Sequence, residues 1–367
     1  MKNKKVLIRA FVQENLGDDL FIKILTERYP DVQFYIIGEN KYKNSLSYLK
    51  NLKYISGDIL PFKILNYIYM KMPSNRNKEN NRNIMLYNIL SRFFAENVYI
   101  TGSFFIESPN WSGLIDKRWY DSKPVIIGCN FGPFITNKFY DEYREQFKKA
   151  KQVSFRDKYS YNLFPKLENI EYHPDIIFNL EVPVVSGGDY YIISVVNIKK
   201  DVHVSGDKVQ NKYIEKMRQI TENLCNKNNK VVFVSFCSEQ GDEQVIQEIL
   251  KGINDKSKVS VNTYSELGMN KILELIAGCK GIVATRFHAM ILGFLFGKNT
   301  LPIVYNEKMK NVIEDLDYTG RWFDINDMSR LQCSEIDNYF GRIDKQKLQS
   351  IVKESEKHFH LLDNSLK

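Results

Sequence analysis

What most constrains this chain is the way short apolar runs alternate with helical segments. Residues 5–10 (KVLIRA) predict a strand, a loop through Asn15-Leu16-Gly17-Asp18-Asp19 follows, and a helix begins near Leu20. A second strand is expected over residues 32–37. Helix 84–95 then leads to strand 98–101, strand 125–128 to helix 137–150, and strand 152–155 to helix 158–164. After His173-Pro174-Asp175 the pattern restarts. Strand 191–196 precedes a long polar helix over 209–227, strand 231–235 precedes helix 243–250, and helix 265–277 leads to strand 281–285. Helix 287–296 and strand 301–305 complete the second set. Strands separated by helical segments of roughly 10–15 residues build parallel sheets from βαβ units. The expectation is an α/β chain of two doubly wound domains, residues 1–182 and 190–342, followed by a helical tail over 343–367. The boundary falls in the Pro, Ser and Gly-rich stretch 181–190.

Composition narrows the function classes. The 367 residues hold 43% hydrophobic residues and 45 Phe plus Tyr, enough for two packed cores. Five cysteines, at 129, 225, 237, 279 and 333, form no CxxC motif. They predict small buried thiols in a reduced protein, with no disulfide framework, no zinc site and no other metal. The apolar run after the basic N-terminus is too short for a signal peptide, and no run approaches the roughly 18 residues of a membrane span. The expected location is cytoplasmic, with the inner membrane face as an option. Net charge is +8 with Lys and Arg scattered, which suits an anionic small substrate or a membrane surface better than nucleic acid. Residues 59–72 are apolar and aromatic, with Lys63 and Lys71. They read either as an amphipathic helix packed on the sheet or as a peripheral membrane contact. Residues 75–83 are polar and read as a loop.

Ligands of open α/β sheets bind at the carboxyl ends of the strands, so the search falls on the loops there. In Asn15-Leu16-Gly17-Asp18-Asp19, the glycine permits close backbone approach, while Asp18 could simply cap the helix. Thr101-Gly102-Ser103-Phe104 ends a strand as an ordinary turn or a ligand loop. Ser154-Phe155-Arg156-Asp157 delivers an arginine to a strand end, with Asp157 placed to cap the next helix. Arg156 is either an anion clamp or one half of a surface ion pair. In Thr285-Arg286-Phe287-His288, the following helix is apolar all round and therefore buried, yet its first turn carries a cation and an imidazole. That turn is expected to open onto a cleft, as an anion site with an acid–base group beside it. The alternative is a histidine hydrogen-bonded in the core. Ser238, Glu239 and Gln240 follow another strand, where Ser238 or Asp242 could cap the next helix.

In this order the loops resemble those of the polysaccharide pyruvyl transferase family. The resemblance runs over roughly residues 15–318. It takes in Asn15–Asp19, Thr101–Phe104, Ser154–Ser160, His173-Pro174-Asp175, the Gln240-Gly241-Asp242 turn, Thr285–Ala289 and Tyr305-Asn306-Glu307-Lys308. It implies two Rossmann-like domains facing a cleft, similar to GT-B glycosyltransferases. It also implies transfer of a pyruvyl group from phosphoenolpyruvate to two hydroxyls of one sugar, giving a cyclic ketal in a surface polysaccharide or its precursor. The family's Arg-x-His turn maps onto Arg286 and His288, the implied catalytic pair. Its Arg-Asp pair maps onto Arg156 and Asp157. The donor side is then expected in Arg156, Arg286, Thr285, Ser238, Gln240 and Lys308, in the C-terminal domain and at Arg156. The acceptor side is expected in Asn15, Gly17, Asp18, Gly102 and Ser103. The implied partners are phosphoenolpyruvate and a glycan, polyprenyl-linked in one version, with no cofactor and no nucleic acid. One departure bears on the acceptor: the family's Gly-Gly-Gly turn reads Thr101-Gly102-Ser103 here. Two other readings share the sequence, a GT-B glycosyltransferase using a nucleotide sugar and a non-catalytic glycan-binding member.

Overall fold

The computed structural model describes residues 4–71, 83–108, 111, 117–200 and 207–367. Nearly all of the polar stretch 75–83 lies outside the described residues. Two compact units emerge. One comprises residues 1–13, 18–176 and 354–367, the other residues 14–17 and 177–353. The division therefore falls at Ile176/Ile177 rather than within 181–190. The tail is itself divided, and its last residues belong with the first unit.

The first unit holds seven parallel strands: β1 (Lys5–Arg9), β2 (Gln33–Gly38), β3 (Leu52–Ser56), β4 (Glu96–Ile100), β5 (Val125–Cys129), β6 (Gln152–Phe155) and β7 (Ile170–Tyr172). Their order across the sheet is β3-β2-β1-β4-β5-β6-β7. The connecting helices are α1 (Leu16–Arg28), α2 (Leu60–Lys71), α3 (Ile84–Leu90), α4 (Lys117–Tyr120), α5 (Asn137–Phe147) and α6 (Lys158–Asn162). The central strands are buried on both faces, which is why they read as continuous apolar runs. An aromatic core that includes Tyr99, Phe105, Trp119, Phe131 and Phe147 packs against them. Strands β3 and β7 have no such run. Leu52–Ser56 is a half-buried edge strand, and Ile170–Tyr172 is only three residues long.

The second unit has six parallel strands: β8 (Tyr190–Ser194), β9 (Lys230–Ser235), β10 (Val259–Thr263), β11 (Gly281–Ala284), β12 (Asn299–Val304) and β13 (Phe323–Asp324). Their order is β10-β9-β8-β11-β12-β13. Its helices are α7 (Asp207–Asn226), α8 (Asp242–Lys251), α9 (Tyr264–Gly278), α10 (Phe287–Leu295) and α11 (Glu307–Asp315). Helix α12 (Lys345–Ser355) follows, and α13 (His360–Leu366) belongs with the first unit. In each sheet the order reverses between two neighbours, β1 and β4 in one, β8 and β11 in the other. The crevice beyond such a reversal is where doubly wound sheets take ligands.

All five cysteines are free thiols, three buried and two half-buried. Burial pushes the Cys129 thiol well up and that of Cys279 up to about 12, so neither is a thiolate near neutral pH. Among the described residues no helix is long and apolar enough to cross a membrane, and no group of His, Cys, Asp and Glu could hold a metal ion.

Candidate active site

The reversal point of the second sheet gathers the most chemistry. Strand β11 ends at Ala284, and Thr285 and Arg286 continue it with amides that donate to Ser194 O (3.1 Å) and Ser194 Oγ (3.3 Å). Arg286 keeps extended backbone as the residue capping α10. Its side chain is 11% exposed and reaches across to the loop after β9. There Gly241 takes a left-handed conformation (φ 82°, ψ 27°), open to glycine at no steric cost. That turn starts α8 at Asp242, a fully buried carboxylate. Asp242 Oδ2 accepts the amides of Phe236 (3.0 Å) and Cys237 (3.2 Å) and Arg286 Nε (3.0 Å). Asp242 Oδ1 accepts Arg286 Nη2, and Gln240 Oε1 accepts Arg286 Nη1. Burial alone would depress the guanidinium pKa. The charge and hydrogen bonds of Asp242 outweigh it and hold it above the ordinary arginine value.

A planar fork pinned this way has one orientation. Three of its five N–H groups go to Asp242 and Gln240, so two remain for a ligand among the described residues. The cation at the head of an apolar helix, which the sequence leaves unbalanced, is thus balanced by a buried carboxylate. The sequence reduced Asp242 to a cap. It caps no helix: Gly241 is the residue before α8, Asp242 is its first residue, and its carboxylate serves two loop amides and the guanidinium.

Beside it, His288 is half-buried, its ring edge-on to Phe287 at 5.1 Å. The ammonium of Lys308 lies 5.5 Å from the Phe287 centroid. Thr285 is fully buried and accepts a 2.9 Å bond from Tyr213, so it braces the turn from beneath rather than facing a donor. Ser238 is exposed and donates to Glu243, as does Ser235.

The loop after β1 is split between the units. Glu14–Gly17 clusters with the second unit and Asp18 with the first. Asn15 Oδ1 accepts the Gly17 amide at 3.1 Å, so Asn15 takes the capping role expected of Asp18, which lies inside the first turn of α1. Leu16 N donates to Phe236 O at 3.1 Å. Gly17 lies against the imidazole: a Cβ there would come within 1.6 Å of His288 Nδ1. Glu14 has positive φ (51°), and its carboxyl is pushed up by burial, then by Glu239 and Glu243.

The first unit holds a separate cluster. Arg156 is 2% exposed and donates to Asp175 Oδ2 (2.9 Å), Asn130 Oδ1 (2.9 Å) and Ser103 Oγ (3.2 Å). It is a buried ion pair, which corrects both sequence readings, the outward-facing clamp and the surface pair. Strand β6 lies one in from the sheet's edge yet is buried along its whole length, and only a buried carboxylate makes a cation tolerable at its end. Asp157 caps α6 as expected, accepting Ser160 N at 2.8 Å. The departure at Thr101-Gly102-Ser103 has a local reason. The Ser103 hydroxyl bridges Arg156 and Asn130, and a Cβ on Gly102 would lie 3.0 Å from the guanidinium nitrogens.

Sequence reasoning missed two further groups. His358, given no role by its polar surroundings, is fully buried. Its Nε2 donates to Pro174 O (2.9 Å), and its Nδ1 accepts from Ser154 Oγ (2.5 Å). With Ser355, which donates to Asp175 O at 2.7 Å, it ties the tail beneath the Arg156–Asp175 pair. Arg9, at the end of β1, is 6% exposed, with Tyr87, Tyr99, Phe104 and Trp119 ring centroids 5.0–5.6 Å away. An arginine at a strand end was the available signal, the same one that picked out Arg156.

Comparison with known proteins supplies the remaining information. A family model for polysaccharide pyruvyl transferase matches residues 15–307. No curated protein matches significantly. Among solved structures, Anabaena HepE in complex with UDP and glucose is 11% identical over 98% of this chain and 96% of its own, with a TM-score of 0.54. The UDP-GlcNAc 2-epimerase of Methanocaldococcus jannaschii is 12% identical over 96% and 98%, TM-score 0.55. The trehalose-6-phosphate synthase OtsA is 8% identical over 99% of each chain, TM-score 0.54. At such identities the likeness is one of fold, an α/β chain with two parallel sheets of GT-B type.

Proposed function

We propose a reaction for a chain that belongs to the polysaccharide pyruvyl transferase family: transfer of the pyruvyl group of phosphoenolpyruvate to two hydroxyls of one sugar, as a cyclic ketal. The observation that carries it is Arg286, fixed by Asp242 and Gln240 with two N–H groups to spare, next to His288. Phosphoenolpyruvate carries a phosphate and a carboxylate. Arg286 offers a planar pair of donors to one of them, and Lys308 offers a point charge. The amides at the head of α10 add partial positive charge.

In this scheme the methylene carbon of the donor gains a proton and the adjacent carbon is attacked by a sugar hydroxyl, whose proton passes to His288. The bond from that carbon to the bridging phosphate oxygen then breaks, and the second hydroxyl of the same sugar adds to the carbon while its proton goes to the departing phosphate. The proton gained by the methylene comes from solvent and is balanced by the one His288 returns to it. Inorganic phosphate leaves and the ketal closes. Asp242 orients Arg286 and keeps it charged. Gly17 gives the imidazole its place. Asp18, Gly102 and Ser103, all in the first unit, are proposed for the acceptor glycan. Arg156 positions the Thr101–Ser103 turn rather than binding donor itself.

The test is phosphate release from phosphoenolpyruvate that depends on a glycan acceptor. His288→Ala should abolish transfer while leaving donor binding by calorimetry intact, and full turnover in that variant sinks the assignment. HepE and the epimerase were solved with UDP or a UDP-sugar, so a nucleotide-sugar reaction is the competing reading. Calorimetry against UDP-glucose separates the two.

A further inference from the structure

Helix α2 has its apolar side turned outward. Leu60, Ile64 and Ile68 form one ridge at i, i+4 spacing and are 69%, 50% and 50% exposed. Leu65 (47%) and Tyr67 (64%) flank it, and Ile59 (49%) precedes it. Phe62 turns inward, packing on the aromatic core of its unit. Helix α3 packs beside α2 and adds exposed Ile89, with Phe93 in the turn that follows. An ordinary amphipathic helix buries such a ridge against its sheet, so this face has another occupant.

The charges say which. Neither 59–71 nor 84–95 contains an acidic residue, while Lys63, Lys71 and Arg92 are all exposed. Lys71 lies over the Tyr67 ring at 5.3 Å, and Lys63 is 3.7 Å from Asp58, which precedes the helix. Long basic side chains bordering an apolar ridge can lay their stems along it and lift their ammonium groups to a headgroup layer. Tyr67 has the amphipathic ring favoured at that depth. At 12 residues, α2 is far too short to span a bilayer, and it can lie only in the plane of one. We propose that α2, with Ile89 and Phe93, docks this protein on an anionic phospholipid surface.

The experiment is flotation of the full chain with phosphatidylcholine vesicles and with vesicles that also contain phosphatidylglycerol. The protein should float with the anionic vesicles and much less with the neutral ones. Leu60→Gln/Ile64→Gln/Ile68→Gln should lower the partition coefficient by about tenfold or more. Lys63→Gln/Lys71→Gln should lower it by about fivefold per charge, with the loss matched by added salt in the parent. All these side chains are exposed, so melting midpoints should stay within a few degrees of the parent. Absence of flotation with either vesicle, or flotation of the triple variant like the parent, overturns the proposal. So does a parent that is a dimer in solution and that the triple variant converts to a monomer, because a second copy then covers the face.

Discussion

The backbone of Gly17 lies so close to the ring of His288 that a methyl group on its α-carbon would fall 1.6 Å from Nδ1. No carbon and nitrogen can share that distance without a bond, so the imidazole must move if Gly17 gains a side chain. Gly17→Ala is therefore expected to displace the ring while leaving Arg286 and Asp242 in place. A misplacement near 1 Å can cost a reaction about a hundredfold. Steady-state kinetics should show kcat falling on that scale with phosphoenolpyruvate affinity by calorimetry within about twofold of the parent. An alanine variant with parental kcat would mean that the ring position does not matter.

Asp242 separates orientation from mere charge. In Asp242→Asn an oxygen can still accept the amides of Phe236 and Cys237, but the amide nitrogen faces the guanidinium as donor to donor. Arg286 then loses its counter-charge and its Nη2 acceptor, while Nε and the loop amides keep theirs. We expect donor affinity to fall by about tenfold, roughly 1.4 kcal/mol. Removing a buried counter-charge should lower the thermal midpoint as well, so affinity is compared at a temperature where both proteins are folded. Unchanged affinity in calorimetry would show that Asp242 does not hold Arg286 for the donor.

How much of this was legible in the sequence follows from where the information lies. The βαβ alternation is local, so the α/β class and most central strands could be read directly. Strands β3 and β7 escaped because an edge strand needs no unbroken apolar run. The turn at Arg286 stood out because charge at the head of an apolar helix has no local explanation. Its partner did not, because Asp242 is 44 residues away in sequence and looks like a helix cap. The same limit applied to Arg156. Its place at a strand end could be read, whereas its burial depends on Asp175, Asn130 and a tail helix far along the chain. His358 sits in a polar stretch, and only the docking of that stretch buries it.

Arg156 distinguishes a brace from a clamp. Replacing Asp175 with Asn leaves a buried guanidinium without its counter-charge, which should destabilise the protein by roughly 3–5 kcal/mol. Arg156→Lys retains the charge, yet a single ammonium cannot serve Asp175, Asn130 and Ser103 with the fork's geometry. Both variants should lower the urea midpoint. A clamp that contacts donor would instead give a stable protein with weak phosphoenolpyruvate binding.

The burial of His358 predicts how stability depends on pH. Burial lowers its pKa from 6.5 to about 3, helped by the nearby charges of His173 and Arg156. The hydrogen bonds agree: Nε2–H donates to Pro174, so Nδ1 carries a lone pair for the Ser154 hydroxyl. Between those two values the unfolded chain binds a proton that the folded chain refuses. Stability from this group is complete above about pH 6.5 and drains as pH falls, by up to about 1.4 kcal/mol per unit. Asp363 is the other strongly shifted group of the tail. Its pKa is held down to about 2 by its hydrogen bonds to Arg28 and Tyr29, against the opposing effect of burial, so its contribution is lost only at more acid pH. His358 therefore contributes across the window from pH 6.5 to 4, above the range of Asp363. His358→Gln keeps a donor and an acceptor without a titrating ring. It should start less stable at pH 7.5, and its urea midpoint should be flatter over that window. A variant whose midpoint falls with acid as steeply as the parent's would assign the acid limb to another group.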